Sequence, residues 1–356
     1  MAWKRSSFLL LAAIPALGLE RFEAVEPYMG TLFGITLYAR GAAQARAGFK
    51  AAFARVAQLD AMLSDYKEDS ELMRVCRLAN GKPVPVSVEL FTVLASAQKL
   101  AKESGGAFDV TLGPVIRLWR EARRSGRMPD AEALDAAARR TGYRKLVLDP
   151  STRTVFLKLP NMSVDLGAIA KGYAADEALR VLRVHGIARA LVAASGDLAI
   201  GDAPPSKRGW RAGVGSHVFE LRNVAVSTSG DSEQFLERDG VRYSHIIDPK
   251  TYLGLTERMT VSVIARRGID ADSLATAMSV LGVERGLALL PRRPDTAAIF
   301  VTAEGERRSP GFPYLEALTW KRPSYRRLDP PAPRSTDKQS SRHPESSLAP
   351  PNDRRP

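Results

Sequence analysis

Six short apolar or alternating runs follow one another between residues 188 and 264, at 188–194, 210–214, 217–221, 224–228, 241–247 and 259–264. Runs of this length with a period of two read as strands, and turn-forming residues separate them. The nearest of them read as antiparallel hairpins. Helical spacing occurs elsewhere. It runs over 44–63, with Phe49, Phe53, Val56, Leu59 and Leu63 on one face, and over 87–103, where Gly105-Gly106 provides the stop. Further helices are expected at 130–139, opened by Pro129, and at 168–185, 272–281 and 283–290. A strand over 33–39 follows the turn Met29-Gly30-Thr31, two more over 145–148 and 155–159 flank a Pro-Ser-Thr turn, and one over 297–302 closes the body. No regular βαβ period and no internal repeat emerges. The fold class is therefore α+β.

Residues 1–18 combine Lys4 and Arg5, an apolar stretch from Phe8 to Leu17 and the small-x-small triplet Ala16-Leu17-Gly18. This reads as a signal peptide for export to the periplasm, being too short for a bilayer span. No cysteine lies near it to carry a lipid anchor. The folded domain is expected over 24–320. Residues 321–356 are rich in Pro, Ser and Arg and read as a flexible tail. The chain's net charge of +13 owes part of its size to this tail, where nine basic residues face four acidic ones. The basic residues of the body, such as Arg120, Arg123, Arg124, Arg139 and Arg140, read as scattered solvated faces of helices. Aromatic residues make up only 7% and do not interleave with them, which argues against nucleic-acid binding. The single cysteine, Cys76, excludes intramolecular disulfides and thiolate metal clusters.

Four stretches carry candidate chemistry. Val164-Asp165-Leu166-Gly167-Ala168-Ile169-Ala170-Lys171 passes from extended chain through glycine into a helix. That exposes N–H groups to an anion, with Lys171 on the first turn; a glycine-capped helix with a solvent-facing lysine fits equally. The small-residue turns Ser195-Gly196-Asp197 and Ser227-Thr228-Ser229-Gly230 end two strands and permit close approach of a flat or phosphorylated ligand, or are simply tight turns. His245, in Tyr243-Ser244-His245-Ile246-Ile247-Asp248-Pro249, is the best acid–base candidate, the other reading being a hydrogen-bonded structural histidine. Asp272 and Thr276 share a helix face at i, i+4 and with backbone carbonyls make a hard oxygen site suited to Mg2+. The alternative is an N-cap by Asp270 or Asp272.

Taken in order, these stretches resemble the FAD:protein FMN transferases, the ApbE-like flavin transferases. Seven motifs carry the resemblance from Met29 to about Thr302: Met29-Gly30-Thr31; Ser64-Asp65-Tyr66 with Ser70-Glu71-Leu72; Phe108-Asp109-Val110-Thr111 with Gly113-Pro114; Asp165 to Gly172; Thr228-Ser229-Gly230; His245 to Pro249; and Asp272 to Thr276. The resemblance implies mixed sheets with packed helices and a flavin cleft between the sheet regions. It implies FAD as substrate, Mg2+ as cofactor, and transfer of FMN to a Thr or Ser hydroxyl of a partner protein with loss of AMP. The metal would be held by Asp272 and Thr276 side chains and the Ala168 and Ala275 carbonyls. Met29, Tyr66, Asp109, Asp165, Lys171, Ser195, Asp197 and Ser229 would meet flavin and phosphates. His245 would act as base, with Asp248 orienting it and Lys171 stabilising a phosphate oxygen. The partner would be an acceptor flavoprotein or redox-complex subunit, exported or membrane-attached. A non-catalytic FAD-binding protein and an FAD pyrophosphatase are the alternatives. The chain departs from the family pattern at Ser195, where Gly-Gly is usual, and at Lys250-Thr251-Tyr252, where Thr-Gly is usual. A Tyr252 side chain at the cleft would narrow it or stack on the ligand.

Overall fold

The computed structural model describes residues 18–230 and 234–310. The signal-like segment, apart from Gly18, and the tail lie outside the described residues. The elements in chain order are β1 (Glu20–Tyr28), β2 (Thr31–Ala39), α1 (Ala42–Leu63), α2 (Glu71–Leu78), β3 (Val84–Pro85), α3 (Val88–Glu103), α4 (Gly113–Ser125) and α5 (Ala131–Ala138). They continue with β4 (Leu146–Asp149), β5 (Thr154–Leu157), α6 (Ala170–Val184), β6 (Ala190–Ala194), β7 (Asp197–Ile200), β8 (Trp210–Val214), β9 (His217–Leu221) and β10 (Val224–Gly230). The last are β11 (Phe235–Arg238), β12 (Val241–Ser244), β13 (Thr260–Ala265), α7 (Gly268–Leu287), β14 (Ala297–Thr302) and β15 (Gly305–Arg308).

Eight strands form one sheet in the order β1-β2-β6-β7-β10-β13-β14-β15, every pair antiparallel. Spatial order therefore follows chain order, and everything else is inserted into the connections. The period of two sorts the strand residues between two faces. Val261, Val263, Ala265, Ala298 and Phe300 join α1, α6 and α7 in the main core. Val226, Ile264 and Ile299 point the other way, onto Trp210, Phe219 and Leu221 of the β8–β9 hairpin. A third cluster, Val115, Trp119, Ala122, Ala137, Leu236 and Ile247, packs α4 and α5 against the β11–β12 region.

Several expectations change. Strand β1 begins at Glu20, before the expected domain start at 24, and pairs along its whole length with β2. Helices α2 and α4, strands β7, β11 and β15 had no counterpart in the pattern reading. The two helices expected at 272–281 and 283–290 are both present within α7, separated at Gly282, whose φ of 73° and ψ of 178° are not helical; the first begins earlier, at Gly268, and the second ends at Leu287. The strand expected over 241–247 ends at Ser244; beyond it the His245 N–H still donates to the Gln234 carbonyl at 3.1 Å, and the Ile246 carbonyl accepts the Leu255 N–H at 2.9 Å.

Helices α6 and α7 meet backbone to backbone. A Cβ on Gly172 would sit 2.1 Å from the Gly268 carbonyl oxygen, and one on Gly268 would sit 2.4 Å from that of Gly172. Only glycine at both positions allows this approach. It sets the start of α6, with Lys171, against the second turn of α7, with Asp272.

Candidate active site

A cleft of about 580 Å³ opens where the β1–β2 and β6–β7 turns and the end of β10 meet α4, α6, α7 and the chain around His245. Of the expected site residues, Met29, Tyr66, Asp109, Asp165, Ala168, Lys171, Ser195, Asp197, Ser229, His245, Asp272 and Thr276 all line it. Asp248 and Ala275 do not.

The centre of the cleft is a charge cluster. Lys171 Nζ donates to the Gly167 carbonyl at 2.7 Å and faces Asp197 at 3.3 Å and Asp272 at 3.6 Å. Both carboxylates are 4% exposed. Ser227 donates its hydroxyl to Asp197, and the Gly172 N–H donates to Asp272 at 3.0 Å. Burial and the neighbouring Asp197 push the Asp272 carboxyl up to about 7, against the pull of Lys171. Burial disfavours the Lys171 ammonium, but Asp272 and Asp197 outweigh it and hold the group charged. Lysine is thus not solvent-facing.

Asp272 is not an N-cap. The first N–H groups of α7, those of Gly268 and Ile269, donate at 2.7 and 3.1 Å to Asp176 of α6. Asp270 pairs instead with Arg267 at 2.8 Å. Capping from another helix leaves the Asp272 carboxylate to the cleft, with Thr276 one turn on.

At the other end Arg120 of α4 joins Asp65 and Asp165, the latter at 2.6 Å, and lies 4.3 Å from the ring centroid of Tyr66. Tyr66 is 68% exposed, so one ring face is backed by a cation and the other is open. Burial, with the nearby Asp65, pushes Asp165 up to about 6. Arg123, one turn along, lines the same wall with a buried Nη1 that has no hydrogen-bond partner. The reading of Arg120 and Arg123 as solvated faces is therefore corrected. The spacing of Val115, Trp119 and Ala122, all buried, is the signal that places α4 in the interior, with Arg120 and Arg123 turned to the cleft.

Asp109 spends its carboxylate on the chain itself. It accepts the Thr111 N–H at 2.8 Å, the Thr111 hydroxyl at 2.6 Å and the Tyr143 N–H at 2.8 Å. It shapes the cleft wall. His245 Nδ1 lies 3.2 Å from the Gln234 carbonyl. Asp248 does not supply the expected orientation, since its carboxylate accepts the Lys250 N–H at 2.8 Å in its own turn. The Ala275 carbonyl accepts the Ser279 hydroxyl at 2.9 Å. Tyr252 neither narrows the cleft nor stacks in it. With φ at 60° it takes the left-handed conformation itself, packs on the α4–α5 cluster and accepts Trp119 Nε1–H on its carbonyl at 2.8 Å. Ser195 likewise holds the turn between β6 and β7 with φ at 56°.

Among the described residues no group of three or more His, Cys, Asp and Glu is placed to hold a metal ion. A divalent ion here would need the mixed set of carboxylate, hydroxyl and carbonyl at Asp272, Thr276 and Ala168. That set fits a hard cation, because a carboxylate fixed by one N–H and loosely by an ammonium keeps lone pairs for it. Among the described residues no helix is long and apolar enough to cross a membrane.

Comparison with known proteins places this arrangement. The profile of the ApbE family matches residues 29–300. The FAD:protein FMN transferase of Treponema pallidum is 36% identical over 306 residues, covering 79% of this chain and 84% of the relative. The apo flavinyl transferase ApbE of Pseudomonas stutzeri superposes with a TM-score of 0.74 at 31% identity, covering 85% of this chain and 98% of that one. The flavin transferase ApbE of Vibrio cholerae superposes with a TM-score of 0.75 at 30% identity, covering 83% and 99%. With profile, sequence and fold agreeing across the residues that build the cleft, the chain belongs to the ApbE family.

Proposed function

We propose that this chain transfers the FMN moiety of FAD to a threonine or serine hydroxyl of a partner polypeptide, forming a phosphoester and releasing AMP, with Mg2+ in the cleft. The observation that carries the reading is the meeting of a hard-oxygen donor set, a charged lysine and a histidine in one cleft of a chain related to FAD:protein FMN transferases. Asp272, Thr276 and the Ala168 carbonyl would hold the ion; the Ala275 carbonyl would join them only by sharing its contact with Ser279. The chemistry supplied by such an ion is neutralisation of charge on the pyrophosphate.

The chain's own residues do the rest. The Gln234 carbonyl, 3.2 Å from Nδ1, orients the His245 ring in the cleft. His245 takes the proton of the incoming hydroxyl as that oxygen bonds to the FMN-side phosphorus. The bond from phosphorus to the AMP oxygen breaks, and AMP leaves with the electron pair. Lys171 offers its ammonium to a phosphate oxygen. The open face of Tyr66 offers a planar ring a surface to stack on. The apolar, positively flanked residues 1–18 support export, so the partner is an exported or membrane-attached redox subunit and the site of action the periplasm.

Purified protein incubated with FAD, Mg2+ and exported threonine-bearing acceptor polypeptides should give an FMN-sized adduct by mass spectrometry. EDTA or Asp272→Ala should abolish it. Unchanged transfer in His245→Ala would remove the histidine from the base role and leave the metal reading standing. AMP release without adduct would replace transfer by hydrolysis, and FAD bound without either product would leave a binding protein.

A further inference from the structure

We propose that Lys171 is a built-in counter-cation of the divalent site, which an entering metal ion displaces from Asp272. The inference rests on the reading that Asp272, Thr276 and Ala168 hold that ion.

Two carboxylates, each 4% exposed, face one ammonium at 3.3 and 3.6 Å. These distances are longer than a good charge-assisted hydrogen bond, whereas the same ammonium donates to the Gly167 carbonyl at 2.7 Å. The lysine is thus held most closely by a neutral carbonyl and serves both carboxylates at longer range. Without it, Asp197 and Asp272 would meet as two like charges in a nearly dry pocket. With it, the pocket stays assembled before any ligand arrives. The cost is competition, because a positive charge beside Asp272 repels a second cation entering there. Asp197 offers the ammonium a place to stay when Asp272 is taken by metal, and its hydroxyl partner Ser227 keeps that carboxylate in position. The lysine is then free of Asp272 and turned to a phosphate oxygen of the substrate, so one displacement couples metal entry to substrate charge recognition. Sequence pattern alone read Lys171 only as a phosphate ligand or a solvated side chain, since the two carboxylates come from β7 and α7, 26 and 101 positions further along the chain.

The test is Mn2+ binding to the full-length protein without FAD, followed by electron paramagnetic resonance, with Mg2+ as competitor. Lys171→Met should bind Mn2+ at least tenfold more tightly than the unaltered chain, while Lys171→Arg, which keeps the charge, should stay within threefold. The metal-free Met variant should melt at a lower temperature and recover more on adding Mn2+. Equal or weaker binding by a folded Lys171→Met protein overturns the proposal. If neither protein binds Mn2+, the metal assignment itself falls and the displacement with it. Should the Met variant not fold, Asp197→Asn provides the second arm. It leaves Asp272 as the ammonium's sole carboxylate and should weaken Mn2+ binding at least fivefold, and unchanged affinity there would refute the competition.

Discussion

Among the described residues Arg55, Arg120 and Lys171 each stand between two carboxylates, and the first and last of them have opposite results. Arg55 of α1 reaches Glu177 of α6 at 2.6 Å and Glu89 of α3 at 2.9 Å, tying three helices together. Burial pushes both glutamates up, but the bonds from Arg55, and for Glu177 also from Arg180, outweigh it and hold them below the ordinary range. In the cleft, Lys171 stands at 3.3 and 3.6 Å from its two aspartates, and there burial wins, raising Asp272 to about 7. The guanidinium forks onto its partners and saturates them, whereas the ammonium is a point charge stretched between two groups that are drier still. The first arrangement is a lock between helices. The second is a pocket whose negative charge is only loosely met, which is what a site for a cation requires.

Breaking the lock should give the largest effect on stability. Arg55→Ala leaves Glu177 and Glu89 partly buried without their counter-charge and should cost about 2–3 kcal/mol in urea denaturation, with specific activity of the folded protein retained. A loss below about 0.5 kcal/mol would reduce the lock to an ordinary surface pair.

Titration should separate the two kinds of carboxylate by sign. Glu177 and Glu89 have lowered values, so their stabilisation is present above the unfolded value and lost as pH falls through the folded one. Asp176, the cap of α7, is raised by burial from 3.8 to about 6 in spite of the two N–H groups it accepts. Its contribution is fully present below its unfolded value and lost as pH rises through 6. Relative to Asp176→Asn, the unaltered chain should therefore lose about 2 kcal/mol of its advantage between pH 4 and pH 7.5. A difference in stability independent of pH would show that burial does not perturb this carboxyl.

Within the cleft, Arg123 has a buried donor without a partner, unlike the saturated Arg55. Arg123→Ala should raise KM for FAD by about tenfold, equivalent to about 1.4 kcal/mol, with kcat little changed. An unchanged KM together with a lower melting temperature would make the residue a packing element. The smallest effect is expected at the β6–β7 turn, where Ser195→Gly removes a left-handed serine and should stabilise the chain by about 0.5–1 kcal/mol. Destabilisation instead would mean that the serine hydroxyl makes up for its backbone strain.

Much of this was legible beforehand where the physics is local. The period of two found the central strands, and the face of Phe53, Val56 and Leu59 found α1, since all three are buried. Strand β1 escaped because its residues lie half-exposed on a sheet edge, so Glu and Arg interrupt its apolar positions. Helix α4 escaped for a related reason: four arginines in thirteen residues hide the buried stripe of Val115, Trp119 and Ala122. The resemblance set Asp248 to orient His245, yet an aspartate two residues before an N–H closes its own turn more readily than it reaches a neighbour's ring.

By itself the sequence determined the α+β class, the helices and strands with strong periodicity, and a set of chemically apt residues in family order. Only the tertiary structure decided how those residues act. Asp176 caps α7 from another helix, Asp272 is thereby left to the cleft, and Lys171 turns inward to two carboxylates brought from distant strands and helices. The reason is physical. Periodicity reports which side of an element is dry, but charge, capping and ligand geometry depend on what stands opposite. Here that is set by two glycines, Gly172 and Gly268, whose missing side chains let two helices touch.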